Sequence, residues 1–401
     1  MRFVQFSDVH LDASLRESKL AMPEEKRQQR QREIRQIVAD ACSLAREKDC
    51  DLILIPGDLF DEESADLDTI RFLIETFGSV APLPIFIAPG NHDPHVPQSP
   101  YNPDFLAEKR APPWPENVHI FSADTFQTVH LPRRADVAVT GISNMGRQTE
   151  EKRILRQQIP LPPAAFHLAL FHGSREPFPP GKEATMPFRD EELLSQPFHY
   201  AAIGHYHTYA GIKDNDGRIR GAYSGTPASQ KLNEVGEKFV LLGEIAEHPA
   251  KGEVTLERIK LDRRTLHAKR IDCSGCTYRE AVIRRIEEEA RKVSQNKDDI
   301  LFIRLEGRFP SGAALDLPAN LLQDEYFHVA MDPGGLRPDY DFDKYLHEPE
   351  LMRSVEGEFF RTIKNRGVQT KDEEEKRILR AALYYGLDAL TEGRICGRYE
   401  E

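Results

Sequence analysis

The sequence predicts an α/β protein whose N-terminal part is layered. Two observations carry this prediction. Short apolar runs alternate with helical stretches, and nearly every run is bounded by Asp, Gly, Pro or His. The strand-like runs are RFVQF, DLILI, LPIFIA, HLALF and HYAAIG. A long helical pattern over about residues 24–48 separates the first two. From Phe239, KFVLLGEIA and EVTLERIKL face each other across EHPAKGE as a hairpin that closes the domain near Asp262. The first domain is therefore expected over residues 1–262.

A second, smaller α/β module is expected over residues 266–335. Residues 278–293 have a charged helical pattern, and DILFIRLEG and EYFHVAMD read as strands. The stretch DPGGLRPDYDFD, rich in Gly, Pro and Asp, reads as a loop linker. A C-terminal segment over residues 349–401 reads as a helical pair, 349–364 and 371–390, broken at Asn365, Arg366 and Gly367.

Composition narrows the class. The chain has 401 residues, 39% hydrophobic and 30% charged, enough for two or three domains with buried cores. No run approaches the roughly 18 consecutive apolar residues of a membrane helix. The N-terminus MRFVQFSDVHL lacks the apolar run and small-residue cleavage site of a signal peptide. Five cysteines, an odd number, argue against a disulfide framework, so a cytoplasmic location is expected. The formal net charge is −12, so any nucleic-acid contact needs segregated positive surface or bound cations. Two basic clusters exist: Lys26, Arg27, Arg30, Arg32 and Arg35, then Arg258, Lys260, Arg263, Arg264, Lys269 and Arg270. Each alone reads as a solvated face.

The chemistry lies in five short motifs, each following or ending an apolar run. They are Asp8-Val9-His10, Gly57-Asp58-Leu59-Phe60-Asp61, Gly90-Asn91-His92-Asp93, Phe171-His172-Gly173 and Gly204-His205-Tyr206-His207. Strand ends are where α/β sheets present ligand groups. Carboxylate, amide oxygen and imidazole together suit manganese, iron or zinc better than calcium. A carboxylate can bridge two cations about 3.5–4 Å apart, and such a pair polarises a phosphoryl oxygen, acidifies water and neutralises the transition state. Asp58, in a Gly-Asp turn after a buried strand, is the natural bridge. Singly these motifs mean little, since Gly-Asp is a common turn and a lone histidine is usually structural. Their order and shared placement carry the reading.

The set DxH, GDxxD, GNHD, HG and GHxH resembles the signature of the calcineurin-like metallophosphoesterases. Within them the chain is similar to DNA repair exonucleases of the SbcD/YhaO type, on HLDA after the first motif and on Ser224-Gly225-Thr226-Pro227 before the closing strand. The resemblance covers residues 1–262 and, more weakly, the following module, which is similar to a DNA-capping domain. It implies a four-layer α/β/β/α sandwich with a small α/β capping domain and a C-terminal helical pair. It also implies two divalent ions, Mn2+ in this reading. Asp8, His10, Asp58 and His207 would hold one, and Asp58, Asn91, His172 and His205 the other. His92 would act on the leaving oxygen, with Asp61 orienting it.

The implied activity is metal-dependent DNA exonuclease, 3′ to 5′, with nicking of single strands. The implied partners are DNA, a second copy of the chain, and a coiled-coil SMC-like ATPase docked on the C-terminal helices. The chain has no Gly-x-x-x-x-Gly-Lys-Ser/Thr loop with which to be that ATPase itself. The alternatives are a phosphatase or cyclic-nucleotide phosphodiesterase with the same site, and a scaffold for the ATPase.

Four other features stand outside these motifs. Cys273-Ser274-Gly275-Cys276 lacks a second Cys pair and reads as a turn. His95 reads as a loop residue, and Trp114, in APPWP, as packing or a DNA contact. Ser174 and Arg175, after His172, are candidates for phosphate binding.

Overall fold

The computed structural model describes residues 1–15, 20–61, 65–146, 151–178, 184–246, 253–310 and 315–393. The chain forms two compact units. The first is Met1–Leu266 with Asp298–Ile300, and the second is His267–Lys297 with Leu301–Glu401.

In chain order the first unit contains β1 (Arg2–Gln5), α1 (Glu24–Glu47), β2 (Leu52–Ile55), α2 (Leu67–Ser79), β3 (Ile85–Ile87), α3 (Pro103–Glu108), β4 (Val118–Ile120), β5 (Gln127–Leu131), β6 (Arg134–Gly141), β7 (Phe166–His172), α4 (Asp190–Leu194), β8 (Tyr200–Gly204), β9 (Ala210–Lys213), β10 (Ile219–Tyr223), β11 (Val240–Ile245) and β12 (Val254–Ile259). They build two six-stranded sheets, β12-β11-β1-β2-β3-β4 and β5-β6-β7-β8-β10-β9. Strands β1 to β4 run parallel, as do β6, β7, β8 and β10. Parallel neighbours place all their carboxyl ends on one edge, and the loops there carry the motifs.

Side-chain alternation explains the layering. Phe3, Leu52, Leu54 and Phe86 face inward and pack with Val137, Val139, Leu168 and Leu170 of the other sheet. Their neighbours Val4, Ile53, Ile55, Ile85 and Ile87 face outward, against Ile34, Val38 and Ala41 of α1 and Ile70, Leu73 and Phe77 of α2. The outer face of the second sheet, with Ala169, Phe171, Ala201 and Ile203, is covered by Leu193 of α4 and by Ile154, Leu155 and Phe198. The order is thus α/β/β/α, with a thin fourth layer. The expected closing hairpin is the antiparallel pair β11–β12, in register from Val240↔Ile259 to Ile245↔Val254. Most of its connection, 247–252, lies outside the described residues.

Much of the expected basic surface is consumed in ion pairs. Arg30 is buried on α1 and grips Asp262 through both terminal nitrogens. Arg35 pairs with Asp12, Arg264 with Glu33, Arg263 with Asp298, and Lys260 with Glu237.

The second unit has a three-stranded sheet, β13-β14-β15, built from β13 (Leu266–Asp272), β14 (Ile300–Pro310) and β15 (His328–Asp339). Val282, Ile286 and Ala290 of α5 (Arg279–Val293) pack on it. Cys273 and Cys276 are buried in this core, and the Cys276 amide closes a turn onto the Cys273 carbonyl. The stretch expected as a loop linker differs, because β15 runs straight through DPGGLRPD. As an edge strand it tolerates its prolines, and at Gly335 any Cβ would come within 2.5 Å of the Leu305 carbonyl.

Beyond β15 come the helices α6 (Lys344–His347), α7 (Pro349–Arg353), α8 (Val355–Gln369) and α9 (Glu373–Glu392). The helix expected over 349–364 is split at Ser354, whose hydroxyl caps α8 by accepting from the Gly357 amide at 3.0 Å. The break expected at 365–367 falls later, at Thr370–Asp372, where Asp372 caps α9. Gly367 stays helical, with nothing within 4 Å of where its Cβ would be. Among the described residues no helix is long and apolar enough to cross a membrane.

Candidate metal centre

The five motifs converge where the two sheets present their parallel carboxyl ends. Turning sharply out of a strand requires unusual backbone. Asp8, His10, Asp58 and His205 all have positive φ, at 54°, 46°, 49° and 114°. Such residues cost roughly 1–3 kcal/mol each and persist only where the surroundings over-determine them. Glycine at position 90 has a steric cause, since a Cβ there would overlap Asp58 Oδ1.

The donor and acceptor arithmetic points to cations. His10 Nδ1 lies 2.6 Å from Asp61 Oδ1, and His207 Nδ1 lies 2.6 Å from Glu234 Oε1. Carboxylates only accept, so each Nδ1 carries its proton and each Nε2 presents a lone pair. Those two Nε2 atoms face each other at 3.3 Å. Asp58 Oδ2 is 3.8 Å from His10 Nε2, and Asp8 Oδ1 is 4.0 Å from His207 Nε2. A second lobe repeats the pattern. His172 Nδ1 donates to the Pro56 carbonyl at 2.9 Å, leaving Nε2 as an acceptor. That Nε2 faces Asn91 Oδ1 at 3.0 Å, Asp58 Oδ2 at 3.3 Å and His205 Nδ1 at 3.3 Å. In the first lobe acceptors converge on acceptors and repel, an arrangement that a cation would turn into coordination; in the second, His172 Nε2, Asp58 Oδ2, Asn91 Oδ1 and His205 Nδ1 offer a mixed nitrogen and oxygen set of the same ligand types. Asp58 belongs to both lobes.

The electrostatics agree. Burial pushes the Asp58 carboxyl well above its usual range, and the neighbouring Asp93 and Asp8 add to this. Burial likewise raises Asp93 to about 6, although Tyr101 and three backbone amides donate to it. Burial lowers His172 to about 3. Burial works against charge on Asp61, but hydrogen bonds from His10 and His92 outweigh it and hold that carboxyl well below the usual range.

The structure brings together all nine expected residues. Asp8, His10, Asp58 and His207 surround one lobe, and Asp58, Asn91, His172 and His205 the other. Asp61 is shared: besides His10 it contacts His92 Nδ1 at 3.1 Å. His92 is half-exposed, and its amide donates to Asp58 Oδ1 at 2.9 Å. Sequence reading missed Glu234, which lies 27 residues beyond His207 in a loop without a motif. It quoted Asp93 without giving it a task. Asp93 accepts from the amides of Asp58, Leu59 and Gly90 and from the Tyr101 hydroxyl, so it ties the second motif to the third.

The structure gives partners to Ser174, Arg175 and Trp114. The Ser174 hydroxyl is buried and accepts from the Thr185 amide. Arg175 is clasped by Asp190. Trp114 donates to the Pro100 carbonyl and packs on Phe77 and Tyr101. The half-buried His95 anchors its loop by donating its amide to the Asn144 carbonyl.

The lobes open onto a cavity of about 1420 Å³, lined among others by Asp58, His92, Arg175, His205, Tyr206, His207, Tyr209 and Lys231. A two-sheet sandwich with such a centre at its strand ends defines a class, the metal-dependent phosphoesterases. The family model described as calcineurin-like phosphoesterase matches residues 1–209 of the 401, and the chain belongs to that family. Its members bind divalent metals and hydrolyse phosphoester bonds. Among individual relatives, the chain is 24% identical over 288 residues to the uncharacterised metallophosphoesterase YhaO of Bacillus subtilis (strain 168). That match takes in 70% of this chain and 65% of the length of YhaO. Two solved structures from Thermus thermophilus are also similar. TT1561 has 14% identity and a TM-score of 0.36, covering 65% of this chain and 99% of its own. A hypothetical protein has 12% identity and a TM-score of 0.32, covering 65% and 100%.

Proposed function

We propose that the chain is a two-metal phosphodiesterase acting on DNA, an exonuclease working from the 3′ end that also nicks single strands. The observation that supports this most is the pair of lobes of convergent imidazole, carboxylate and amide ligand atoms sharing Asp58 at the floor of a cavity of about 1420 Å³. Pockets for small ligands are typically ~300–1,000 Å³, so this one has room for a polymer. The ligand assignment is Asp8, His10, Asp58 and His207 for one ion, and Asp58, Asn91, His172 and His205 for the other. Two divalent ions, Mn2+ by this reading, supply Lewis acidity and neutralise charge on the phosphoryl group.

The chain's own residues do the rest. Asp61 holds His92 by Nδ1, and the imidazolium held this way carries on Nε2 the proton that passes to the leaving 3′ oxygen. Asp93 and Glu234 hold the ligand-bearing turns in register. The family resemblance supports a homodimer, and the odd count of five cysteines a cytoplasmic location. The resemblance also supports an SMC-like ATPase docked on α8 and α9, where Val355, Val368, Ile378 and Leu390 are exposed.

A second reading is an esterase for small phosphodiesters or monoesters. It is favoured by the ion pairing of both basic clusters, which leaves less positive surface for a DNA backbone. The deciding assay follows Mn2+-dependent release of nucleotides from end-labelled double-stranded DNA, beside hydrolysis of bis-p-nitrophenyl phosphate. Digestion of DNA is expected, with His92→Ala slowing it by about a hundred-fold, the low end for loss of a general acid. Hydrolysis of the small ester without attack on DNA, with a candidate ATPase present, would favour the second reading.

Chelation should lower stability, and the loss should grow with pH. Asp58 and Asp93 are raised in the folded chain, so without metal it retains protons that the unfolded chain has released. The contribution of Asp93 to stability falls as pH rises from about 4 through about 6 and that of Asp58 falls in the same sense, while the lowered His172 contributes in the opposite sense. Cations replace those protons and add about 2.7 kcal/mol per site at a hundred-fold excess over Kd. Melting curves with EDTA and with Mn2+ should therefore coincide near pH 4 and separate near neutrality. Curves that stay together at pH 7 would exclude a metal centre here.

A further inference from the structure

We propose that Glu234 is a positioning residue: it aims His207 Nε2 into the first lobe and so makes that lobe the tighter of the two cation sites. The inference rests on the divalent-cation reading above and adds a residue to it. Glu234 is 3% exposed and fully engaged. Its Oε1 accepts from His207 Nδ1 at 2.6 Å, and its Oε2 accepts from the amides of Gln230 and Lys231 at 2.6 and 2.9 Å. The loop that carries it is itself anchored. Ser229 Oγ donates to the Glu234 carbonyl at 2.6 Å, the Gln230 side chain donates to the Val9 carbonyl at 2.6 Å, and Arg30 reaches the Ser229 carbonyl at 3.1 Å. Val9 lies between Asp8 and His10, so one strap fixes both sides of the lobe.

The two lobes differ in what stands behind His10, His207 and His172. Carboxylates back both histidines of the first lobe, Asp61 behind His10 and Glu234 behind His207. In the second lobe a neutral backbone carbonyl backs His172, and the amide Asn91 takes a carboxylate's place. A carboxylate behind an imidazole fixes its tautomer and strengthens the opposite nitrogen as a ligand. Negative charge close behind one lobe therefore favours a dication there over the other.

The test is calorimetric titration of the whole chain with Mn2+, comparing wild type with Glu234→Ala, Glu234→Gln and His207→Ala. Wild type should bind two equivalents of unequal affinity. Glu234→Ala should weaken the tighter one by about 10–100-fold, the usual cost of losing such a partner, and leave the weaker one unchanged. His207→Ala should affect the same equivalent. Glu234→Gln should recover part of the loss, since its amide oxygen can still accept from Nδ1. In the metal-free protein, nitrogen chemical shifts of His207 should show Nδ1 protonated in wild type and a mixed tautomer in Glu234→Ala. If Glu234 only caps its loop, Glu234→Ala lowers the melting temperature while His207 keeps its tautomer and both affinities hold, and the proposal fails alone. Equal weakening of both equivalents also overturns it. A wild type that binds no Mn2+ overturns the metal reading as well.

Discussion

Replacing Asp58 with alanine should reduce phosphodiester hydrolysis by at least about 10⁴-fold, a rise of roughly 5.5 kcal/mol in the barrier. Of the ligands assigned above, Asp58 alone belongs to both lobes. Its Oδ2 faces His10 Nε2 at 3.8 Å and His172 Nε2 at 3.3 Å, and its Oδ1 holds the His92 amide at 2.9 Å. One substitution thus removes a ligand from each lobe and loosens the turn that carries the proposed acid. Stability should move the other way. Wild-type Asp58 is buried beside Asp8 and Asp93 with its carboxyl raised, so at neutral pH the chelated protein carries an uncompensated charge cluster. Asp58→Ala relieves it and should melt no lower than wild type in EDTA, but should gain little from Mn2+. Turnover of bis-p-nitrophenyl phosphate and melting with and without Mn2+ read both effects. Activity within ten-fold of wild type would rule out a shared-carboxylate centre.

Replacing Arg30 with alanine should destabilise the first unit by about 3–5 kcal/mol, the cost of leaving a buried carboxylate without its partner. The Arg30 and Asp262 side chains are each 1% exposed, and they meet through two hydrogen bonds. The guanidinium also reaches the Ser229 carbonyl, so the loss should extend to the strap that carries Glu234. Denaturant unfolding measures the stability. Mn2+ titration of the folded variant should show weaker binding at one equivalent only. Substituting both residues with apolar ones, Arg30→Met with Asp262→Leu, should recover most of the stability, because the penalty lies in the orphaned charge. Failure of that recovery would place the role of Arg30 in shape and not in charge.

The ligand-bearing turns were legible in the sequence because each obeys a local rule. An apolar run ends, a glycine or aspartate turns the chain, and a ligand type follows. Asp8, Asp58, Asn91, His172 and His205 all stand at such ends, and parallel pairing then gathers them on one edge without further instruction. The capping of α8 by Ser354 obeys a local rule as well, yet the continuous apolar pattern across it masked the break. DPGGLRPD misled in the opposite direction: its composition is that of a loop, while its place at a sheet edge makes it strand. By itself the sequence determined the layered α/β class, the order of the strands' motifs and the types of the candidate ligands. Only tertiary structure decided that Asp61 serves His10 as well as His92, that Arg30 is buried against Asp262, and that Glu234 stands behind His207. Those roles arise from contacts between residues 27 to 232 positions apart. A carboxylate in a loop has no local signature of the nitrogen it will meet, because that meeting is set by how the sheets pack and where the strap crosses them.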